Sequence, residues 1–123
     1  MKKYIQIVED DGDIRFIVEY ILEDADYTVE SFENATSFLN RTRTEDVDLI
    51  ILDVMLPDGN GMELCRDLKI KEGHLKHTPV IIMSAHAGAK SILEEACADD
   101  FINKPFDLEH FLSRVQRILG DKA

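Results

Sequence analysis

Four apolar residues in a row, Leu49 to Leu52, lead without a break into Asp53; Val54, Met55 and Leu56 follow, then Pro57-Asp58-Gly59-Asn60-Gly61. An extended segment that never alternates with polar residues offers no face to water. It predicts a strand covered on both sides, as in a parallel sheet between helical layers. Pro57 and the Gly/Asn cluster then break the chain into a loop. Asp53 is thereby placed where a buried strand reaches the surface, at the carboxyl edge where open parallel sheets bind ligands. A carboxylate there is either a reactive or ligating group or a cap for the loop beyond, and other parts of the chain must decide.

Those parts alternate regularly. Tyr4 to Val8 reads as a first strand ending in Glu9-Asp10-Asp11, and Ile14, Ile17, Val18, Ile21, Leu22 and Ala25 recur at helical spacing after an N-cap at Asp13. Tyr27–Phe32 is a second strand, and Asn34 caps a short helix with Ala35, Phe38 and Leu39 inward. Asp48–Asp53 is the third strand, Gly61–Lys71 a helix, Gly73–Thr78 a polar turn and Pro79–Met83 the fourth strand. A helix over about His86–Ala96, a strand over Asp100–Asn103 and a helix capped by Asp107 complete the pattern, the last helix burying Leu108, Phe111, Leu112, Val115 and Leu119. Gly120–Ala123 reads as a frayed end. Five strands alternating with five helices imply right-handed βαβ units and one α/β domain over residues 1–123 with a doubly wound parallel sheet. Asp58-Gly59 and Asn60-Gly61 are hairpin signals, but the helical spacing from Met62 onward argues against a hairpin.

With 25 acidic and 14 basic residues the formal charge is −11, so the surface repels phosphate backbones and nucleic-acid binding by this chain alone is not expected. No apolar run approaches a membrane span, and the opening MKKYIQIVEDD lacks a secretory apolar core, which predicts a cytoplasmic protein. Cys65 and Cys97 form no C-x-x-C pair and read as small apolar residues. His74, His77, His86 and His110 have no ligand spacing.

The strand ends carry the chemistry. The first ends in Glu9-Asp10-Asp11, the third in Asp53 and the fourth in Ser84, while Lys104-Pro105 follows the fifth. If the strands are parallel these groups share one edge. Several carboxylates gathered there cannot all ionise cheaply without a cation, and hard oxygen ligands beside open space suit Mg²⁺. A metal, a nucleophilic carboxylate, a hydroxyl and a lysine together suggest phosphoryl transfer through an aspartyl phosphate.

The motifs IVEDD at 7–11, LDVMLPDGNG at 52–61, VIIMSA at 80–85 and ADDFINKPF at 98–106, in this order and spacing, resemble the receiver domain of two-component response regulators over essentially the whole chain. The resemblance implies a flavodoxin-like (βα)5 fold of strand order 2-1-3-4-5. It implies Asp53 as phosphoacceptor, with Glu9, Asp10, Asp53 and the backbone carbonyl of Met55 holding Mg²⁺. Ser84 matches the switch hydroxyl, Phe101 the aromatic that turns inward with it, and Lys104 the lysine on the phosphoryl group, joined to Pro105 by a cis bond. Met55 and His86 occupy the variable positions expected to tune access of attacking water. Cys97 stands where most relatives have glycine, which closes a helix in a left-handed conformation without strain. The phosphoryl donor implied is a histidine kinase or phosphotransfer protein, and the output is binding to a downstream protein, not turnover. Lys90, Asp99, Asp100, Glu109 and Arg114 resemble a charged set through which related receivers dimerise by the fourth helix, fifth strand and fifth helix. Against this stand a docking module that has lost phosphorylation, a haloacid-dehalogenase-type phosphatase, which needs an acid where Met55 stands, and a flavodoxin, which needs a hydroxyl-rich loop where Glu9-Asp10-Asp11 stands.

Overall fold

The computed structural model describes residues 2–41, 46–70, 73, 75–85 and 98–121. Three strands are buried at every residue: β1 (Tyr4–Val8), β3 (Leu49–Asp53) and β4 (Val80–Ser84). They form the middle of a parallel five-stranded sheet, flanked by the partly exposed β2 (Thr28–Phe32) and by β5 (Asp100–Asn103), in the order β2-β1-β3-β4-β5. This is the expected flavodoxin-like topology. Uninterrupted apolar runs end up central because only a central strand has both faces covered.

Alternate residues of each strand feed two apolar layers. Ile5, Ile7, Leu49, Ile51, Ile81 and Met83 face α1 (Gly12–Asp24) and the last helix (Leu108–Leu119). Val8, Ile50, Leu52, Val80 and Ile82 face α2 (Ala35–Leu39) and α3 (Gly61–Ile70). Gln6 is the polar intruder in the second layer, and its amide donates to the Tyr4 hydroxyl at 2.9 Å. Cys65 is fully buried in that layer.

Several boundaries differ from the sequence reading. Asp11, not Asp13, caps α1, accepting the N–H groups of Asp13 and Ile14 at 2.9 and 3.1 Å; Asp13 lies in the first turn, where its charge favours the helix dipole. Leu39 and Leu108, expected to be inward, are exposed, each at the terminal residue of its helix. Ile17, placed on the inner stripe of α1, is also exposed. The end of the last helix is tied down: Gly120 closes it in a left-handed conformation, and Asp121 bonds Lys3 at 2.9 Å and the Tyr27 hydroxyl at 2.7 Å. A hairpin does form after β3, as a small antiparallel ribbon pairing Met55–Leu56 with Gly59–Asn60 around Pro57-Asp58, and α3 starts immediately after it. The ribbon is two residues per strand, short enough to coexist with the helical spacing that argued against it. The expected helix over 86–96, with His86, Lys90 and Cys97, lies outside the described residues, as does His74.

Candidate functional site

Parallel register brings the strand ends to one edge. Val8 pairs with Leu52, Asp53 with Met83 and Ser84 with Asn103, so Glu9, Asp53, Ser84 and Lys104 emerge side by side. Lys104 follows β5 through the main-chain bond of its N–H to the Ser84 carbonyl, 3.0 Å, and its bond to Pro105 is cis. From there its ammonium reaches Glu9 Oε1 at 2.5 Å and Asp53 Oδ2 at 3.0 Å. Ligand oxygens of Glu9, Asp10 and Asp53 lie within 4.8 Å of one another, with Glu9 fully buried, Asp53 nearly so and Asp10 facing solvent.

The charges do not balance. Three carboxylates face one ammonium, and two of the three are removed from water. Burial pushes Glu9 up to about 7; the bond from Lys104 opposes this and the neighbouring Asp53 adds to it. Burial alone would lower Lys104, but its two carboxylate partners outweigh that and hold it charged above the usual range. A group of hard oxygen donors with surplus negative charge, open on the Asp10 side, fits a small divalent cation that keeps several waters, as Mg²⁺ does.

Met55 follows in the ribbon. Its N–H approaches Asp53 Oδ1 at 3.4 Å, and the residue is 65% exposed. Ser84 is buried at the end of β4. Phe101, on the neighbouring β5, lies inward, buried in the layer that contains Leu52 and Ile82. The structure thus gathers Glu9, Asp10, Asp53 and Lys104 in direct contact or within ligand range, with Ser84 on the same edge and Phe101 behind it. His86 lies outside the described residues.

Two residues that touch the site, and one that ties the ribbon to α2, were missed in the sequence. Arg15 donates to the Glu9 carbonyl at 2.7 Å, bracing the acidic turn from one helical turn away. Gly61 packs against the Asp53 backbone so closely that an added Cβ would lie 1.9 Å from the Asp53 carbonyl oxygen. Asp58 accepts the N–H groups of Ala35 and Thr36, both at 2.8 Å. Only Gly61 carried a signal, as a glycine opening a helix directly after a buried strand and its turn.

Comparison with known proteins agrees with the fold and its motifs. A family model described as the response regulator receiver domain matches residues 5–116. The response regulator ArlR of Staphylococcus epidermidis is 36% identical over 117 residues, covering 94% of this chain and 52% of the relative. The chain therefore spans about half the length of the curated relatives it matches. The non-phosphorylated HemR receiver domain from Leptospira biflexa superposes with a TM-score of 0.85 at 36% identity, over 99% of this chain and 98% of that one. The response regulator DrrB, a Thermotoga maritima OmpR/PhoB homolog, gives 0.84 at 36% identity, over 98% of this chain and 54% of that one.

Proposed function

This chain belongs to the response-regulator receiver family, and on that premise we propose that it is a phosphorylation-controlled switch with Asp53 as phosphoacceptor. The observation that carries the reading is the cluster of Glu9, Asp10 and Asp53 bridged by Lys104 at one edge of the sheet. In the proposed reaction an Asp53 carboxylate oxygen attacks the phosphorus of a phosphohistidine on a kinase or phosphotransfer protein. A P–O bond forms as the P–N bond breaks, and the electron pair leaves with the imidazole. Glu9, Asp10, Asp53 and the Met55 carbonyl would hold Mg²⁺, which when bound neutralises charge on the transferring group. Lys104, already bonded to Asp53, passes to a phosphoryl oxygen, and the Ser84 hydroxyl closes onto another. Those bonds, available only in the phosphorylated form, are what stabilise a second conformation. Water reverses the modification, and the output is altered protein binding in the cytoplasm, not turnover. No helix among the described residues is long and apolar enough to cross a membrane.

A protein donor is supported by an apolar cleft of about 220 Å³ beside Lys104, lined by Ile14, Ile17, Pro105, Phe106 and Leu108. A homodimer through the Asp100–Arg114 side is a further part of the proposal, but three of its expected charges, Asp99, Asp100 and Arg114, are committed within the chain. Arg114 grips Asp100 through two nitrogens, and Lys69 bonds Asp99 at 2.7 Å. A dimer has to share them.

Titration with fluoroberyllate and Mg²⁺, watched by NMR and by sedimentation, tests both parts. Amide shifts around Asp53, Ser84, Phe101 and Lys104 are expected to move together. Unmoved spectra contradict the switch and leave a docking module, and an unchanged monomer at saturation ends the dimer.

A further inference from the structure

We infer that Asp58 is a positioning residue for the cation site, acting through the ribbon that carries Met55; this rests on the Mg²⁺ reading above. Helix α2 spans only Ala35–Leu39, and a helix that short leaves nearly all its first N–H groups in need of partners. Asn34 caps it in the ordinary way, its Oδ1 accepting the Ser37 N–H at 2.7 Å. The Ala35 and Thr36 N–H groups go instead to Asp58, one to each carboxylate oxygen at 2.8 Å, and the Thr36 hydroxyl donates to Oδ2 at 2.5 Å. The Thr36 hydroxyl and the two N–H groups hold the Asp58 carboxyl below its usual range, so it stays ionised and the bonds stay charge-assisted.

A mere helix cap does not need to come from 22 residues away. Asp58 is at the turn of the ribbon Met55–Leu56/Gly59–Asn60. A ribbon of two residues per strand has no stability of its own. Its base is fixed by the Gly61 N–H on the Val54 carbonyl, 2.8 Å, and its tip by Asp58 on α2. Met55 lies between those two anchors, paired with Asn60. Where its main chain stands relative to Asp53 therefore depends on both. Releasing the tip leaves the carboxylates of Glu9, Asp10 and Asp53 in place and lets the Met55 carbonyl wander.

The test is Mg²⁺ affinity by NMR titration of the parent chain, Asp58→Ala, Asp58→Asn and Asn34→Ala, with urea unfolding of each. Asn34→Ala weakens the same helix through its other cap and leaves the ribbon anchored, so it reports a purely structural effect. Asp58→Ala is expected to weaken Mg²⁺ about tenfold, in the range for residues that orient a metal ligand. Asp58→Asn, which keeps one acceptor oxygen and secures the fold if Ala does not, is expected to fall between Ala and the parent. Asn34→Ala is expected to bind as the parent does. Equal affinities for Asp58→Asn and the parent, or equal losses for the Asp58 and Asn34 variants, overturn the inference while leaving the metal site standing. A parent chain that binds no Mg²⁺ overturns the metal reading and this inference with it.

Discussion

Lys104→Met is expected to remove roughly 3 kcal/mol of stability from the Mg²⁺-free chain, the low end for breaking a buried ion pair. The methionine fills much of the same volume, so the loss is electrostatic. Glu9 is fully buried and Asp53 nearly so, and among the described residues Lys104 is the cation that both contact. The loss stays at the low end because Glu9 can escape by taking a proton. With Lys104 present its pKa already stands at about 7, and without it the value rises further. The sign of the pH dependence follows from linkage. A carboxyl whose folded value lies above its unfolded one binds its proton more tightly when folded, so stability is gained as pH falls and lost as pH rises through the folded value. The deficit of Lys104→Met should therefore shrink as pH is lowered from about 8 toward 6. Millimolar Mg²⁺ should restore the variant more than it stabilises the parent, since it supplies the missing positive charge. Urea midpoints at two pH values, with and without Mg²⁺, measure all of this. A variant as stable as the parent at high pH without Mg²⁺ is the contrary result.

Gly61→Ala carries the second large effect. The added methyl would lie 1.9 Å from the Asp53 carbonyl oxygen, 2.8 Å from its carbonyl carbon and 3.1 Å from Val54 Cα. All three are backbone atoms, so no side chain can swing away. Glycine is required here for space, where helix α3 begins against the strand that carries Asp53. Either α3 backs off or the end of β3 shifts, and a loss of about 3 kcal/mol is expected, at the upper end of overpacking costs. Because the atom displaced belongs to Asp53 itself, phosphoryl uptake should fall as well, even at temperatures where the variant is folded. Folded Gly61→Ala protein taking up phosphoryl groups at the parental rate would show that the close approach does not position Asp53.

These two residues also mark where the sequence was readable and where it was not. Leu49–Asp53 announced itself because an unbroken apolar run has few alternatives to a central strand, and from it followed the edge on which Asp53 stands. Glu9, Ser84 and Lys104 were readable as strand ends for the same reason. Their assembly into one cluster depended on every strand being parallel, which the alternation of strands and helices implied. Asp58 was invisible because its partners lie on α2, more than twenty residues back, and a hydrogen bond at that separation leaves no periodicity. Arg15 was invisible for a different cause: an arginine on an exposed helix face looks solvated, and only the turn of the chain brings the Glu9 carbonyl beneath it. Local competition explains Asp11 and Asp13. Two aspartates spaced by one residue can each cap α1, and the extended backbone at Asp11 decided between them.

The measurement that bears most directly on the proposed switch is intact mass after incubation with acetyl phosphate and Mg²⁺, followed from the earliest accessible times, beside Asp53→Asn. The expected result is addition of one phosphoryl group to the parent chain, dependent on Mg²⁺, and none to Asp53→Asn. Equal addition to both proteins, or none to a parent chain that NMR shows to be folded and bound to Mg²⁺, would contradict Asp53 as the phosphoacceptor.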